Sequence, residues 1–138
     1  MEPLISPQVN AMFQLIILAL LAAGMEVKGR KKFALHGKIM AAAVIMNLLS
    51  LVLIMLPSLL RMEIIITQPL QAISIAALIH SSVGLVVMIL GVWLVASWHL
   101  QDSMKNCMEN KKLMRLTGAL WLAVLLVGFV LYYLLYVY

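Results

Sequence analysis

Three histidines, His36, His80 and His99, stand at or inside segments that are otherwise almost wholly apolar. An imidazole in hydrocarbon must be held by a hydrogen bond, a metal or a proton-transfer role, because an unsatisfied polar ring is costly there. Imidazole nitrogen ligates haem iron and copper, so ligation is the first chemistry to consider. Spacing decides which rings can act together. His80 precedes His99 by about 28 Å of helix, at 1.5 Å per residue. His36 and His80 fall at different depths of the bundle and cannot ligate one iron. His36 and His99 fall at the same boundary, where two imidazoles about 4 Å apart across one metal are feasible. His80 needs a partner at its own level, with Met55, Met12 or its own copy across a homodimer axis as candidates.

The elements that position these rings follow from composition. Hydrophobic residues make up 65% of 138 positions and charged residues 11%, with a mean hydropathy of +1.10. A soluble globule of this size needs far more polar exterior, so the chain reads as an integral membrane protein. Four apolar runs, Val9–Met25, Ile39–Leu60, Leu70–Trp98 and Leu113–Tyr138, suffice for crossings of roughly 20 helical residues. No alternation typical of a barrel is present, leaving helices to satisfy the backbone in lipid. The expected fold is all-α: an antiparallel, up-down four-helix bundle forming one transmembrane domain, with helices over about 9–25, 35–60, 70–99 and 112–138. The N-terminal Met-Glu-Pro-Leu-Ile-Ser-Pro lacks a basic n-region and a cleavage site, so the first helix is expected to stay in the mature chain.

Nine cations (Lys28, Arg30, Lys31, Lys32, Lys38, Lys105, Lys111, Lys112 and Arg115) flank the first and third connectors, against Arg61 alone in the second. The positive-inside rule then puts loops 1–2 and 3–4 in the cytoplasm and both termini outside, in the cell (plasma) membrane. The net charge of +5 reads as a topology signal and attraction to anionic lipid, not as nucleic-acid binding. Cys107 has no intrachain partner.

Within the segments, Pro57 should stop the second helix by removing a backbone donor. His36, Met40 and Asn47 share one face of it, and Asn47 calls for an interhelical hydrogen bond. The second connector carries Ile64–Ile66 and is expected to lie along the outer membrane surface. The third run would measure about 43 Å as a helix, which requires tilt or projection. Its stripe of His80, Gly84 and Gly91 would let a helix or a flat cofactor approach closely. Trp93 and Trp98 fall near the inner interface, and Tyr132, Tyr133, Tyr136 and Tyr138 form an outer aromatic belt.

Facing imidazoles with glycines between helices suit a b-type haem, with Lys38, Arg30 and Lys112 placed to pair with propionates. Met40, one turn from His36, adds copper(I) as the weaker alternative. For His36 and His99 a purely interfacial role stands beside ligation, since headgroups and water are within reach. The spans hold no carboxylate, nucleophile motif or nucleotide loop, which argues against a stand-alone enzyme, and no broken half-helices, which argues against a transporter.

The stretch Leu35-His36-Gly37-Lys38-Ile39-Met40-Ala41-Ala42, then Ile79-His80, then Lys112-Leu113-Met114-Arg115-Leu116-Thr117-Gly118-Ala119-Leu120-Trp121 with Gly128 and Tyr132 resembles the small four-helix YozB/CtaM-type membrane proteins, from about Asn10 onward. That resemblance implies a link to haem–copper oxidase assembly, with His36 and His80 matching family histidines. A further family histidine falls near Asn110 and is absent, while His99 is this chain's addition or a displaced equivalent. The same segments are similar to cytochrome b561-type proteins, which place His-x-x-x-Met and Leu/Ile-His-Ser at helix starts. Their pattern is six helices with two bis-His haems; three histidines here imply one.

The expected function is therefore a membrane b-type haem protein for electron transfer in a respiratory membrane. The cofactor site would use His36 and His99 as axial ligands, His80 as the outer candidate, and Met40, Gly84 and Gly91 around it. The alternative is a non-redox accessory protein for haem–copper oxidase assembly or metal insertion. Expected partners are the bilayer, respiratory-chain or oxidase subunits, quinone, and a second copy of the chain.

Overall fold

The computed structural model describes residues 5–98 and 104–138, and all regular structure among them is helical. Four long helices, α1 (Pro7–Gly29), α2 (Phe33–Leu60), α4 (Ala72–Trp98) and α6 (Lys111–Tyr136), are each long and apolar enough to cross a membrane. Two short ones, α3 (Glu63–Thr67) and α5 (Met104–Glu109), lie in the connectors. The long helices pack in a ring, α1 on α2, α2 on α4, α4 on α6 and α6 back on α1. Each contributes two residues to one core of Ile17, Leu21, Ala43, Val44, Val87, Met88, Trp121 and Leu125. Large apolar side chains also cover the outside of the ring, including Leu15, Ile45, Ile89 and Leu126. Water would penalise such a surface heavily, and a bilayer does not.

Local chemistry sets the helix ends. Ser6 caps α1 by accepting from the Val9 amide, with Pro7 in the first turn. The helix outlasts its apolar run by one turn, reaching Gly29 rather than stopping near Met25. Glu26 pairs with Arg30 at 2.7 Å on its exposed side, and basic residues suit a helix C-terminus. The chain then turns through Lys31 at φ 60°, with Lys31 and Lys32 amides returning to the Lys28 and Val27 carbonyls. A lysine with positive φ carries strain that glycine does not. Lys31→Gly should therefore stabilise the protein by about 1 kcal/mol in a reversible unfolding titration.

Pro57 does not stop α2, which continues to Leu60. The ring would collide with the Leu53 carbonyl in a regular α-helix. The preceding turn, Leu51–Met55, widens instead into a π-helix, closed by the Leu56 amide on the Leu51 carbonyl. α4 begins at Ala72, where the buried Ser74 hydroxyl donates to the Gln68 carbonyl at 3.0 Å. Trp93 is 62% exposed, as an interfacial ring should be, but Trp98 is buried with its indole directly on Gly37. Trp98 is therefore a packing residue between α2 and α4.

One interhelical polar link of α2 comes from Ser50, one turn beyond Asn47. Gln14 Nε2 donates to Ser50 Oγ at 3.1 Å, and Ser50 Oγ donates to Asn10 Oδ1 at 2.7 Å. Ser50→Ala removes one acceptor and one donor together. It should cost about 1–2 kcal/mol, measured by unfolding in detergent or bicelles.

Candidate metal centre

His36 is 8% exposed and lies in the first turns of α2. Its Nδ1 is 2.7 Å from the carbonyl oxygen of Gly24 on α1. A carbonyl only accepts, so Nδ1 carries the proton and the neutral ring keeps its lone pair on Nε2. Gly24 is buried, and a Cβ there would meet Met40 Sδ at 2.9 Å. The missing side chain thus lets α1 approach His36 and Met40 together. An imidazole whose Nδ1–H is fixed by a backbone carbonyl has the form of a metal ligand oriented from behind.

His36 lines an open cleft of about 80 Å³, walled mainly by α2, α4 and α6. Met40, Cys107, Met114 and Thr117 line the same cleft, with Lys28, Trp98 and Trp121 among its walls. Cys107 Sγ lies 3.9 Å from Met114 Sδ. Thr117 is only 3% exposed, and its hydroxyl has no hydrogen-bond partner. Cys107, Met114 and Thr117 carried no signal in the sequence, because α5 and the start of α6 reach His36 only through the fold. Among the described residues no three His, Cys, Asp or Glu side chains converge on a metal position.

His80 belongs elsewhere. It lines a second, larger cavity of about 440 Å³, together with Asn47, Met55, Ser81, Gly84 and Tyr132. Its ring rests on α6, where a Cβ on Gly128 would meet Cε1 at 2.9 Å. Met55 shares that cavity, whereas Met12 is exposed. His99, the expected second axial ligand of His36, lies outside the described residues.

Comparison with protein families, curated proteins and solved structures gives no match.

The glycine stripe brings neighbouring helices close to α4, and Gly84 and Gly91 also line the two cavities. Gly84 is covered by Val124, 3.6 Å from its would-be Cβ, and Gly91 by Val44 at 3.3 Å and Trp121 at 3.9 Å. These glycines serve helix packing. Trp98 and Trp121 likewise wall the space beside His36.

Proposed function

We propose that this is an integral membrane accessory protein that holds copper(I) at the basic end of a four-helix bundle. The observation that carries the reading is the convergence of His36, Met40, Cys107 and Met114 on one cleft. Metal–sulfur bonds of about 2.3 Å put two sulfurs on one ion about 3.8–4.0 Å apart; Cys107 and Met114 stand at 3.9 Å. Thioether, thiolate and imidazole are the donor set that copper(I) prefers. One thiolate on one monovalent ion is also neutral, which limits the desolvation cost in an apolar cleft.

The bias of cations toward the first and third connectors supports an antiparallel array with those connectors in the cytoplasm and both termini outside. Contact between Gly37, early in α2, and Trp98, late in α4, supports the same arrangement. A reducing compartment then keeps both the thiol and copper(I) available. Together with the oxidase-assembly resemblance, this makes metal insertion into respiratory oxidase subunits the role to test.

Anaerobic competition against a chromophoric copper(I) chelator tests the reading. One ion per chain is expected, with thiolate-to-copper absorption in the ultraviolet. Stoichiometry well below one would overturn it. A second reading, a b-type haem electron carrier, draws on the unprotonated His36 Nε2 and needs His99 as the other ligand. Reduced-minus-oxidised visible spectra with Soret and α bands, lost in His36→Ala and in His99→Ala, would select it.

A further inference from the structure

The larger cavity has a polar corner that the copper reading does not use. Asn10 and Gln14, one turn apart on α1, both line it, and Asn47 of α2 adds a third carboxamide. Ser50 is 2% exposed and holds the first two from behind. Gln14 Nε2 donates to Ser50 Oγ at 3.1 Å, and that Oγ donates to Asn10 Oδ1 at 2.7 Å. A serine hydroxyl has one proton, so it accepts from one amide and donates to the other. Left over are the Gln14 carbonyl oxygen Oε1 and the Asn10 amide nitrogen Nδ2. Turning both amides over exchanges those roles, so the corner always offers one acceptor and one donor. Among the described residues the fully covered side-chain atoms without a partner are His80 Nδ1 and Thr117 Oγ1, so neither leftover amide atom is sealed in. Gln14 itself is only 7% exposed, and an unpaired carbonyl at such a place is costly.

The cavity sets what can pair with that corner. It measures about 440 Å³, within the range of roughly 300–1,000 Å³ usual for small ligands. None of its described lining residues is Asp, Glu, Lys or Arg, and beyond the corner its walls are mostly apolar, Leu125 and Phe129 among them. A charged head would be desolvated there without a counter-charge. An uncharged head on a hydrocarbon chain fits both parts. Residues one turn apart on a helix have Cβ atoms about 5–6 Å apart, so the ligand's donor and acceptor belong on different atoms. A carboxamide carries them in that way, N–H beside C=O. A ketone or ester lacks the donor, and a hydroxyl puts both on one oxygen.

We propose that this cavity binds an uncharged long-chain carboxamide, its C=O accepting from Asn10 Nδ2 and its N–H donating to Gln14 Oε1. Ser50 is the positioning residue, because its hydroxyl fixes which way both side-chain amides face. The acyl chain occupies the apolar part of the cavity, which Trp121 closes. A carboxylate of equal length is rejected by its charge.

The test uses the whole protein in phosphatidylcholine nanodiscs, with empty nanodiscs as the blank and 15N NMR of the Asn10 and Gln14 side-chain amides as the site readout. Probes are decanamide, N,N-dimethyldecanamide, decanoate and decanol. Decanamide should saturate at one per chain and shift both side-chain signals. Dimethylation removes only the N–H donor and should weaken binding about tenfold, the worth of one buried hydrogen bond. Decanoate should not compete. Gln14→Met should erase the preference for the N–H form, and Asn10→Ala, at the less buried position, should weaken decanamide by about tenfold. Circular dichroism and thermal unfolding establish that each variant is folded. Equal binding of decanamide and its dimethylated form, decanol as tight as decanamide, or decanamide binding unchanged in both variants overturns the proposal. So does uptake that never saturates above the blank.

Discussion

His36→Asn should abolish copper(I) binding while leaving the bundle folded. An asparagine amide can place its nitrogen near the position of the imidazole Nδ1, so it can still donate to the Gly24 carbonyl that His36 now meets at 2.7 Å. It has nothing at the position of Nε2. The variant thus separates two roles that His36→Ala would confuse, the α1–α2 link and the ligand. Loss of outer-shell support alone costs on the order of 10–100-fold in metal affinity, so loss of the ligand itself should exceed about 100-fold. Unfolding free energy should change by less than about 1 kcal/mol, because the donated bond persists. His36→Gln is the complementary probe. It can present a donor atom toward the cleft but gives up the carbonyl bond, and should retain weak binding with lower stability. Copper affinity in His36→Asn equal to that of the parent protein would remove His36 from the site.

Two kinds of information separate here. Long-range hydropathy revealed the four crossings, because a bilayer demands apolar length whatever the detailed packing. The different sites of His36 and His80 were also legible, because rise per residue fixes depth. Ends and faces were not. Met25–Gly29 looks like a connector by charge, yet it continues α1, since lysine and glutamate are good helix formers. Pro57 reads as a stop, and only the widening at Leu51–Met55 reveals how the helix survives it.

The candidate site was half legible for the same reason. His36 and Met40 share a helix face, so spacing joins them. Cys107 and Met114 sit on other elements, and nothing in their local sequence aims them at His36. Glycines carried an ambiguous signal. Gly84 and Gly91 invite a cofactor by spacing, and they also bring Val124, Val44 and Trp121 close. Gly37 and Gly128 carry no helical stripe, yet they seat Trp98 and the His80 ring. Whether a glycine is a slot, a seat or a gap depends on the residue opposite, which belongs to another helix.

That dependence makes Gly37→Ala the second large prediction. A Cβ on Gly37 would lie within the indole of Trp98, touching several ring atoms at once. The obstacle is a rigid ring rather than the end of a flexible chain, and Trp98 is itself buried. It cannot yield without lifting the last turn of α4 from the first turns of α2. Overpacking of this kind costs about 1–3 kcal/mol, and a rigid aromatic obstacle belongs near the upper end. Gly118→Ala is the internal control. A Cβ there meets nothing within 4 Å, and alanine favours the helix over glycine by up to about 1 kcal/mol. The same chemical change should therefore destabilise the protein at Gly37 and stabilise it at Gly118, by unfolding titration in matched detergent. Gly37→Ala should also weaken copper(I) binding, because Gly37 and Trp98 both wall the cleft that holds His36. Equal responses at the two glycines would mean that Trp98 does not rest on α2, and the cleft would lose the wall that defines it.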